Sequence, residues 1–355
     1  MTPNARAGER VNAEPGTPQR IFEIALAFRR SKALLTAVEL ELFSALAEGP
    51  LESDTLVRRL ALHGRGARDF LDALVALGLL DRDAGGRYAN TREAEQYLDR
   101  RNAAYVGGFL EYLNARAYGS WGLLTPALRS GMPQSGPFEA GGFDAYYADD
   151  SALAVFVRGM TGGSLMPAKA LAAKFPWPAY RTVIDVGTAE GCVPVEIAHA
   201  HAHLTGGGFD LPVVGPAFAR YVHERGLDGR LEFHPGDFLS DPLPKADVLI
   251  MGRVLHDWDL QTRKLLLTKA CAALPPGGAL IVWETLIDDA RRGSEQALLS
   301  SLNMLIQTAA GAEYTSAECS AWLRECGFGE TRILPLVGAY TAVVGIKPGA
   351  AAYPP

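Results

Sequence analysis

The sequence has no excess of positive charge and no long apolar run at its start. Its 355 residues contain 34 basic and 40 acidic side chains, which gives a formal net charge of −6. A chain with this charge balance has no excess of positive charge to attract the phosphates of a nucleic acid or an anionic bilayer, so we expect neither as a partner. Residues 1–18 hold no apolar stretch suited to a signal peptide or a membrane span, and we expect a flexible leader and a cytoplasmic protein.

Cysteine is scarce, and neither cysteine nor histidine shows the spacing of a metal site. The four cysteines form no CxxC pair and no pattern typical of a disulfide framework: Cys192, Cys271, Cys319 and Cys326. We expect free thiols. The run HAHAH places His199, His201 and His203 two residues apart, and such positions diverge on a helix. No metal site is therefore expected.

The N-terminal third of the chain has the pattern of a winged-helix module. Residues 21–46 are rich in Ala and Leu at helical spacing, with more apolar surface than one face needs, which favours burial against a second subunit. Two short amphipathic helices are predicted over 52–60 and 65–77, followed by a hairpin that turns at Gly85 and Gly86. The pattern fits a DNA reader or a dimerising module. A helix that enters the major groove of DNA is expected to be basic. Because the second helix is not distinctly basic, the sequence favours the dimerising module.

Residues 105–173 are predicted to be helical and contain an aromatic-rich stretch. Its members are Phe109, Tyr112, Tyr118 and Trp121. Aromatic side chains of this kind either pack in a core or form the wall of an apolar pocket for a flat ligand. Both interpretations remain open from the sequence.

From residue 180 onward, short apolar runs alternate with helical stretches. The runs are TVIDVG, GGGFD, RLEFH, ADVLIMG and GALIVWE, and each is typical of a buried parallel strand. The alternation predicts a doubly wound, Rossmann-like α/β sheet. A final pair of strands around Gly338 predicts an antiparallel hairpin at one sheet edge. The chain is thus expected to consist of a leader (1–18), a winged-helix-like dimerisation domain (19–104), a pocket-lining helical segment (105–173), an α/β domain (174–348) and a flexible tail (349–355).

Distinctive residues follow the ends of four of these strands. Gly187 lies in a DVGTAEG turn at the end of the first strand, and the second and third strands end at Asp210 and around Asp237. The fourth strand ends at Arg253, and His256 follows it. The carboxyl ends of parallel strands share one edge of a sheet, where open α/β folds bind ligands, so we expect these residues around one crevice. Asp210 is suited to accept hydrogen bonds from both ribose hydroxyls of a nucleoside. The turn lacks the GxGxxG spacing of nicotinamide enzymes, which argues against that cofactor.

Several long motifs in a fixed order carry a specific resemblance. They are FDLP at 209–212, GDFLSDPLPKAD at 236–247, RVLHDWD at 253–259, PPGGALIVWE at 275–284 and SLNML at 301–305. From about residue 21 to 347 the chain resembles the O-methyltransferase family that includes plant caffeic acid enzymes, animal hydroxyindole O-methyltransferase and bacterial natural-product tailoring enzymes. The resemblance implies a homodimer, S-adenosyl-L-methionine as the cofactor of the domain at 174–348, and a small aromatic hydroxylated substrate.

The resemblance also implies roles for individual residues. His256 would be the general base, flanked by the acids Glu284 and Glu313. The cofactor would contact Gly187, Asp210, Leu211, Gly236, Asp237, Phe238, Arg253, Tyr147, Met160 and Ser164. Within that set, Asp210 would hold the ribose, Asp237 and Phe238 the adenine, and Arg253 the methionine carboxylate. The substrate would face Asn303, Met304 and Asp257.

Two segments depart from the family pattern. Thr188 and Ala189 replace two glycines of the cofactor loop, which in most relatives reads DVGGGxG. GAEYT at 311–315 stands where relatives often have GKERT, so an arginine is lost while Glu313 is kept.

Other functions remain compatible with the sequence. One is a cofactor-binding enzyme of the same fold that methylates nitrogen or carbon, or that catalyses hydroxylation, decarboxylation or a pericyclic step, because a fold alone does not fix chemistry. Another is a transcription regulator that uses the winged-helix segment. An intact His256 with two flanking acids favours O-methylation over both.

Overall fold

The computed structural model describes residues 17–134, 147 and 150–349. Most of the expected leader (1–18) and of the expected tail (349–355) lies outside these residues. The chain divides into two compact units, Met1–Ala103 and Ala104–Pro355. In the described ranges no helix is both long enough and apolar enough to cross a membrane.

The N-terminal unit combines helices with a two-stranded sheet. The helices are α1 (Gln19–Glu39), α2 (Leu42–Ala45), α3 (Ser53–Arg59), α4 (Gly64–Ala76) and α5 (Arg92–Leu98). Strands β1 (Leu80–Arg82) and β2 (Tyr88–Asn90) pair antiparallel on either side of the Gly85-Gly86 turn. The predicted order of two short helices and a hairpin is therefore present.

The single helix predicted over 21–46 is wrong, because the structure breaks it between α1 and α2. Glu41 adopts a left-handed backbone there, with φ of 55°. This conformation costs an L-residue about 1 kcal/mol. The break lets α2 bury Leu42 and Phe43, which are 0% and 1% exposed, and that burial offsets the strain.

The second unit begins with a helical segment, as predicted. It comprises α6 (Gly107–Tyr112), a π-helical turn (Leu113–Ala117), a short helix (Tyr118–Ser120), a 3₁₀ turn (Trp121–Leu123), α7 (Leu124–Ser130) and the long α8 (Asp150–Lys174). The first four follow one another without a gap, so the aromatic-rich stretch lies on a continuous helical path.

A seven-stranded sheet forms the centre of the second unit and confirms the predicted fold class. Its strands are β3 (Thr182–Val186), β4 (Thr205–Asp210), β5 (Leu231–Pro235), β6 (Val248–Gly252), β7 (Ala279–Thr285), β8 (Glu330–Pro335) and β9 (Tyr340–Ile346). They lie in the order β5-β4-β3-β6-β7-β9-β8. The first five are parallel, and β9 pairs antiparallel with both β7 and β8.

Helices cover both faces of this sheet and enclose two hydrophobic cores. The remaining helices are α9 (Cys192–Ala200), α10 (Gly215–His223), α11 (Leu260–Ala273), α12 (Glu295–Gln307) and α13 (Ser316–Glu325). One core contains Trp177 and Phe218, and the other contains Leu266 and Leu323. Because β7 is buried along its whole length, its sequence is an almost unbroken apolar run.

Candidate active site

A cavity of about 1030 Å³ opens at the carboxyl edge of the sheet. It is lined by most of the predicted site residues: Tyr147, Met160, Ser164, Gly187, Asp210, Leu211, Gly236, Asp237, Phe238, Arg253, His256, Asp257, Asn303 and Met304. The two predicted acids, Glu284 and Glu313, lie one layer deeper and are 0% and 4% exposed. A cavity of this volume accommodates a nucleoside-containing cofactor together with a small flat molecule.

His256 is held at the cavity wall by the two acids. It lies in the 3₁₀ turn Leu255–Asp257, close to the end of β6, and is 5% exposed. Its Nδ1 lies 2.8 Å from Glu313 Oε1 and 3.3 Å from Glu284 Oε2. Carboxylates accept hydrogen bonds, so Nδ1 carries the proton and donates it to them. In the neutral imidazole, Nε2 is then left as an acceptor.

Each acid is fixed by a hydroxyl donor of its own. Ser300 Oγ donates to Glu313 Oε1 at 2.7 Å, and the Tyr314 hydroxyl donates to Glu284 Oε1 at 3.4 Å. The sequence interpretation missed both donors. A signal for Ser300 was available, since it lies three residues before Asn303, a spacing that places two side chains on the same face of a helix.

The pKa values of His256 and Glu284 are both shifted in this cluster. Burial alone lowers the pKa of His256, but the charges of Glu284, Glu313 and Asp257 outweigh burial and raise the pKa above its usual value. Burial likewise raises the pKa of Glu284, with His256 opposing the shift. His256 and Glu284 therefore retain protons in the folded protein at pH values where the same groups in water would lose them.

Asp210 lies at the end of β4, where it supports the turn that follows β3. Its Oδ2 accepts a hydrogen bond from the Ala189 backbone N–H at 2.9 Å, and its Oδ1 accepts one from the Leu211 N–H at 2.8 Å. Burial raises the pKa of Asp210 to about 6, against the effect of these two N–H donors. A carboxylate has about four lone-pair positions, so each oxygen can still accept a hydroxyl of a ligand in the cavity.

The two side chains that depart from the glycine-rich loop pattern are accommodated differently. Thr188 is 4% exposed and packs against Gly208 of β4, where a Cβ atom would overlap the Thr188 side chain. Ala189 adopts a left-handed backbone with φ of 50°. The Thr188 side chain therefore fills the space left by the missing side chain of Gly208, whereas the backbone of Ala189 is strained.

Replacing Ala189 by glycine is expected to stabilise the fold. Glycine adopts a left-handed backbone at no steric cost, whereas an L-residue loses about 1 kcal/mol there, so A189G should raise the free energy of unfolding by up to about 1 kcal/mol. Urea denaturation measures the change. Ala219, an exposed residue of α10, is the control, because A219G should lower the free energy of unfolding by about 1 kcal/mol. Destabilisation by both variants would contradict the strain at Ala189.

Arg253 lines the cavity, and its guanidinium group packs against an aromatic ring. The group lies 5.4 Å from the centre of the Phe109 ring, a cation–π distance. Its Nη1 is buried and has no hydrogen-bond partner among the described residues. The Arg253 backbone is also left-handed, with φ of 58°. A buried guanidinium nitrogen without a partner is costly, so this position is suited to an anionic ligand.

An aromatic corner lies on the Asp237 side of the cavity. The rings of Phe238 and Trp258 meet edge to face, with centroids 5.9 Å apart at 88°. Lys269 donates a hydrogen bond to the Phe238 carbonyl at 2.5 Å, which fixes the backbone of this residue. Trp258 also lines the cavity and was missed as a site residue, although it belongs to the RVLHDWD motif.

The other side of the cavity carries the aromatic-rich stretch. Phe109, Tyr112 and Trp121 are among the lining residues, whereas Tyr118 is not. The indole Nε1 of Trp121 donates to Asn303 Oδ1 at 3.0 Å, across 182 residues of sequence. The pocket-wall interpretation therefore holds for three of these four aromatic residues.

In the part of the chain that the structure describes, one cluster of side chains has ligand atoms close enough to hold a metal ion. His256, Glu284 and Glu313 each offer a ligand atom, and these atoms lie within 4.8 Å of one another. Ser300 and Tyr314 already donate to the two acids, which favours a hydrogen-bonded network over coordination. In the HAHAH run, His201 and His203 each contact a backbone carbonyl.

Comparison with known proteins identifies the family. The O-methyltransferase domain matches residues 121–329, and the O-methyltransferase dimerisation domain matches residues 22–100. The chain belongs to the O-methyltransferase family. The tetracenomycin polyketide synthesis 8-O-methyltransferase TcmO of Streptomyces glaucescens is 42% identical to it, over 93% of this chain and 97% of that protein. The enzyme is thus an S-adenosylmethionine-dependent O-methyltransferase, which confirms the predicted activity and cofactor.

Two further relatives extend the comparison. The N,N-dimethyltransferase OxyT of Streptomyces rimosus is 38% identical to the enzyme, over 92% of this chain and 96% of that protein. The crystal structure of human N-acetylserotonin methyltransferase in complex with S-adenosylmethionine matches the fold with a TM-score of 0.88 and 29% identity, covering 95% of this chain and 99% of that chain. Residues 22–100, which contain the winged-helix pattern, match the O-methyltransferase dimerisation domain, in agreement with the interpretation of this segment as a dimerising module.

Proposed function

We propose that the enzyme methylates a hydroxyl group, phenolic in character, on a small aromatic or polycyclic metabolite, with His256 as the general base. One observation carries the proposal. The His256 ring lines the cavity while its Nδ1 is engaged by Glu313 at 2.8 Å and by Glu284 at 3.3 Å. The aromatic lining by Phe109 and Trp121 suits a flat acceptor.

The base is needed because a phenol is weakly acidic. With pKa values of about 10 for phenol and 6.5 for a free imidazole, complete proton transfer to a free imidazole before attack would be uphill by about 5 kcal/mol, and the raised pKa of His256 reduces this cost. When bound, S-adenosylmethionine would supply a methyl group on a positively charged sulfur. As the hydroxyl oxygen bonded to that methyl carbon, the sulfur–carbon bond would break to leave an uncharged sulfur, and the hydroxyl proton would pass to His256 Nε2. A positioned base of this kind contributes roughly 10² to 10⁴ in rate. Glu313 and Glu284 then stabilise the imidazolium that forms.

The residues on the other side of the cavity fit the cofactor. The Nη1 of Arg253, for which the described part of the chain offers no hydrogen-bond partner, suits its carboxylate, and the two oxygens of Asp210 suit its ribose hydroxyls. Asp237 can accept hydrogen bonds and the Phe238 ring can stack on a flat base, so we assign both to the adenine. Along with these, we assign Gly187, Leu211, Gly236, Tyr147, Met160 and Ser164 to the cofactor and Met304 and Asp257 to the acceptor, since all of them line the cavity.

A second candidate is methylation of nitrogen. It is favoured by the 38% identity to OxyT, whose name describes an N,N-dimethyltransferase. TcmO, at 42% identity, is named for 8-O-methylation in polyketide synthesis and favours oxygen as the acceptor atom. The two candidates share the cofactor and differ in the atom that receives the methyl group.

A methyl-transfer screen with labelled cofactor separates the two candidates. The acceptors should include phenols, polycyclic hydroxyquinones and matched aromatic amines, each with and without a chelator. We expect label on the oxygen acceptors, with no effect of the chelator because the His256 cluster works without a metal. Label on the amines alone would replace O-methylation by N-methylation, and loss of transfer with chelator would assign a metal to the cluster.

We infer that the enzyme is a homodimer that works in the cytoplasm. Helix α1 exposes a row of large apolar side chains: Ile21, Phe22, Ile24 and Phe28, at 69%, 55%, 67% and 55% exposure. An apolar face of this kind is typical of an interface between subunits. The free cysteines suit a reducing compartment. Sedimentation equilibrium measures the mass of the assembly directly.

The Trp121–Asn303 contact leads to a prediction about the acceptor. An indole N–H only donates, so it fixes Oδ1 of Asn303 towards itself and leaves the amide NH₂, which has no partner among the described residues, for the ligand. We expect a hydroxyquinone to be preferred over the matching phenol without a carbonyl. N303D should reduce that preference in kcat/KM by about tenfold, since a carboxylate cannot donate. W121F removes the indole donor and frees the Asn303 amide to flip, so it should reduce the preference for the hydroxyquinone less than N303D does. If neither variant changed the ratio of kcat/KM values for the two acceptors, Asn303 would have no role in acceptor binding.

A further inference from the structure

Arg263 is a buried arginine that contacts both segments of the proposed proton-transfer site. It lies in the first turns of α11 and is 6% exposed. Its Nε donates to the carbonyl of Leu255 at 2.9 Å, and its Nη2 donates to the carbonyl of Ala312. Leu255 directly precedes His256, and Ala312 directly precedes Glu313. One guanidinium therefore links the backbone beside the base to the backbone beside the acid.

The two segments are also in direct backbone contact. The Ala312 N–H donates to the His256 carbonyl at 2.9 Å. Gly311 makes this approach possible, because a Cβ atom there would lie only 2.5 Å from the same carbonyl oxygen. Arg263 connects the same two segments from the α11 side. The distance between His256 and Glu313 therefore depends on a direct backbone hydrogen bond and on the two side-chain hydrogen bonds of Arg263.

Aromatic rings hold the guanidinium of Arg263 in place. It lies 4.7 Å from the centre of the Tyr314 ring and 5.4 Å from that of Trp322. Tyr314 is the residue whose hydroxyl donates to Glu284. A planar guanidinium that stacks and donates in fixed directions restrains geometry in a way that a flexible ammonium does not. Arg263 thus contacts residues next to His256 and Glu313 and a residue bonded to Glu284.

We propose that Arg263 is a positioning residue for methyl transfer, which sets the distance between His256 and its acids by clamping the turn before His256 to the segment that carries Glu313. The inference rests on the proposed role of His256 as the base. It needs no contact of Arg263 with the substrate or the cofactor.

The test compares R263M with R230M, a variant of a second arginine that also donates hydrogen bonds to backbone carbonyls. Arg230 donates through Nη2 to the carbonyls of Ala198, His201 and Leu204, at the amino end of β5 and away from the cavity. We expect R263M to lower kcat on the order of tenfold to a hundredfold, since small misplacements of reacting groups have effects of that size. R230M should keep kcat, and both variants should bind S-adenosylhomocysteine as the wild type does.

Three further measurements separate positioning from a general loss of stability. R263K keeps the charge and one hydrogen bond, so it should recover part of the kcat lost in R263M, and it carries the test if R263M does not fold. The effects of R263M and E313Q on kcat should be less than multiplicative, because both act on the same base. In ¹H NMR, the His256 Nδ1 proton should shift or broaden in R263M and not in R230M.

The outcomes are distinguishable from failure of the proposed function. A kcat for R263M equal to that of R230M, or fully multiplicative effects with E313Q, overturns the inference. If the wild type methylated no hydroxyl acceptor, the proposed function would fall. In that case the Nδ1 proton signal of His256 in R263M, compared with R230M, would still show whether Arg263 positions the imidazole, since the NMR measurement requires no turnover.

Discussion

Replacing His256 by alanine is expected to lower kcat for methyl transfer roughly a hundredfold or more, with little change in the affinity for S-adenosylhomocysteine. The loss follows from the geometry of the site, because His256 lines the cavity and its Nδ1 is engaged by Glu313 and Glu284. The cofactor contacts assigned here come from other residues, so binding should be preserved. Steady-state kinetics and calorimetry measure the two quantities separately.

His223 provides a matched control for this variant. Its Nδ1 lies 3.0 Å from Asp228, and both side chains are largely exposed, so it is an imidazole–carboxylate pair at the surface. H223A should leave kcat within twofold of the wild type, since exposed pairs contribute only about 0 to 1 kcal/mol. If H256A kept the activity of H223A, His256 would not be the base.

The charge state of His256 adds a test by NMR titration. Glu284, Glu313 and Asp257 raise its pKa above the usual value, so in the free enzyme the imidazole should still be protonated above pH 6.5. Its charged form contributes stability that is complete below pH 6.5 and is lost as the pH rises through the raised pKa. A positively charged ligand in the same cavity disfavours the imidazolium. S-adenosylmethionine should therefore lower the pKa of His256 more than the uncharged sulfur of S-adenosylhomocysteine does, and E313Q should lower it in the free enzyme.

The sheet was predictable because its signals are local. Strands buried on both faces form short apolar runs, and β6 and β7 are buried at almost every position. Their order along the chain, together with the terminal pair around Gly338, suffices to place β8 and β9 at one edge. The break at Glu41 was not predictable in the same way, because a left-handed glutamate has no signature in the sequence and depends on the burial of Leu42 and Phe43.

The part of the site that follows strand ends was also predictable, whereas its supports were not. Asp210 ends a strand, and Arg253 and His256 follow one, so one rule of α/β folds brings all three to one cavity. Trp121 meets Asn303 across 182 residues, and no local pattern indicates that contact. In the sequence, Arg263 likewise has no feature that distinguishes it from an ordinary exposed basic residue of a helix. Only the packing of Tyr314 and Trp322 around it shows that it is buried.

Arg253 should be the largest single contributor to cofactor affinity among the charged residues of the cavity. Its Nη1 is buried without a partner among the described residues, so a ligand carboxylate there gains a charge-assisted hydrogen bond. Removing one member of such a pair costs about 2 kcal/mol or more, so R253M should raise the Kd for S-adenosylhomocysteine roughly thirtyfold or more. Calorimetry measures this change.

A truncated ligand shows whether the loss arises at the carboxylate. 5′-Methylthioadenosine keeps the adenine and the ribose but lacks the amino acid, so R253M should leave its affinity nearly unchanged, and the two ligands should approach each other in Kd. Arg332 pairs with Glu330 at the exposed edge of the sheet, and R332M should affect neither ligand. An equal loss for both ligands in R253M would mean that Arg253 shapes the cavity as a whole. Only a selective loss of S-adenosylhomocysteine assigns the guanidinium to the carboxylate, because only that ligand carries one.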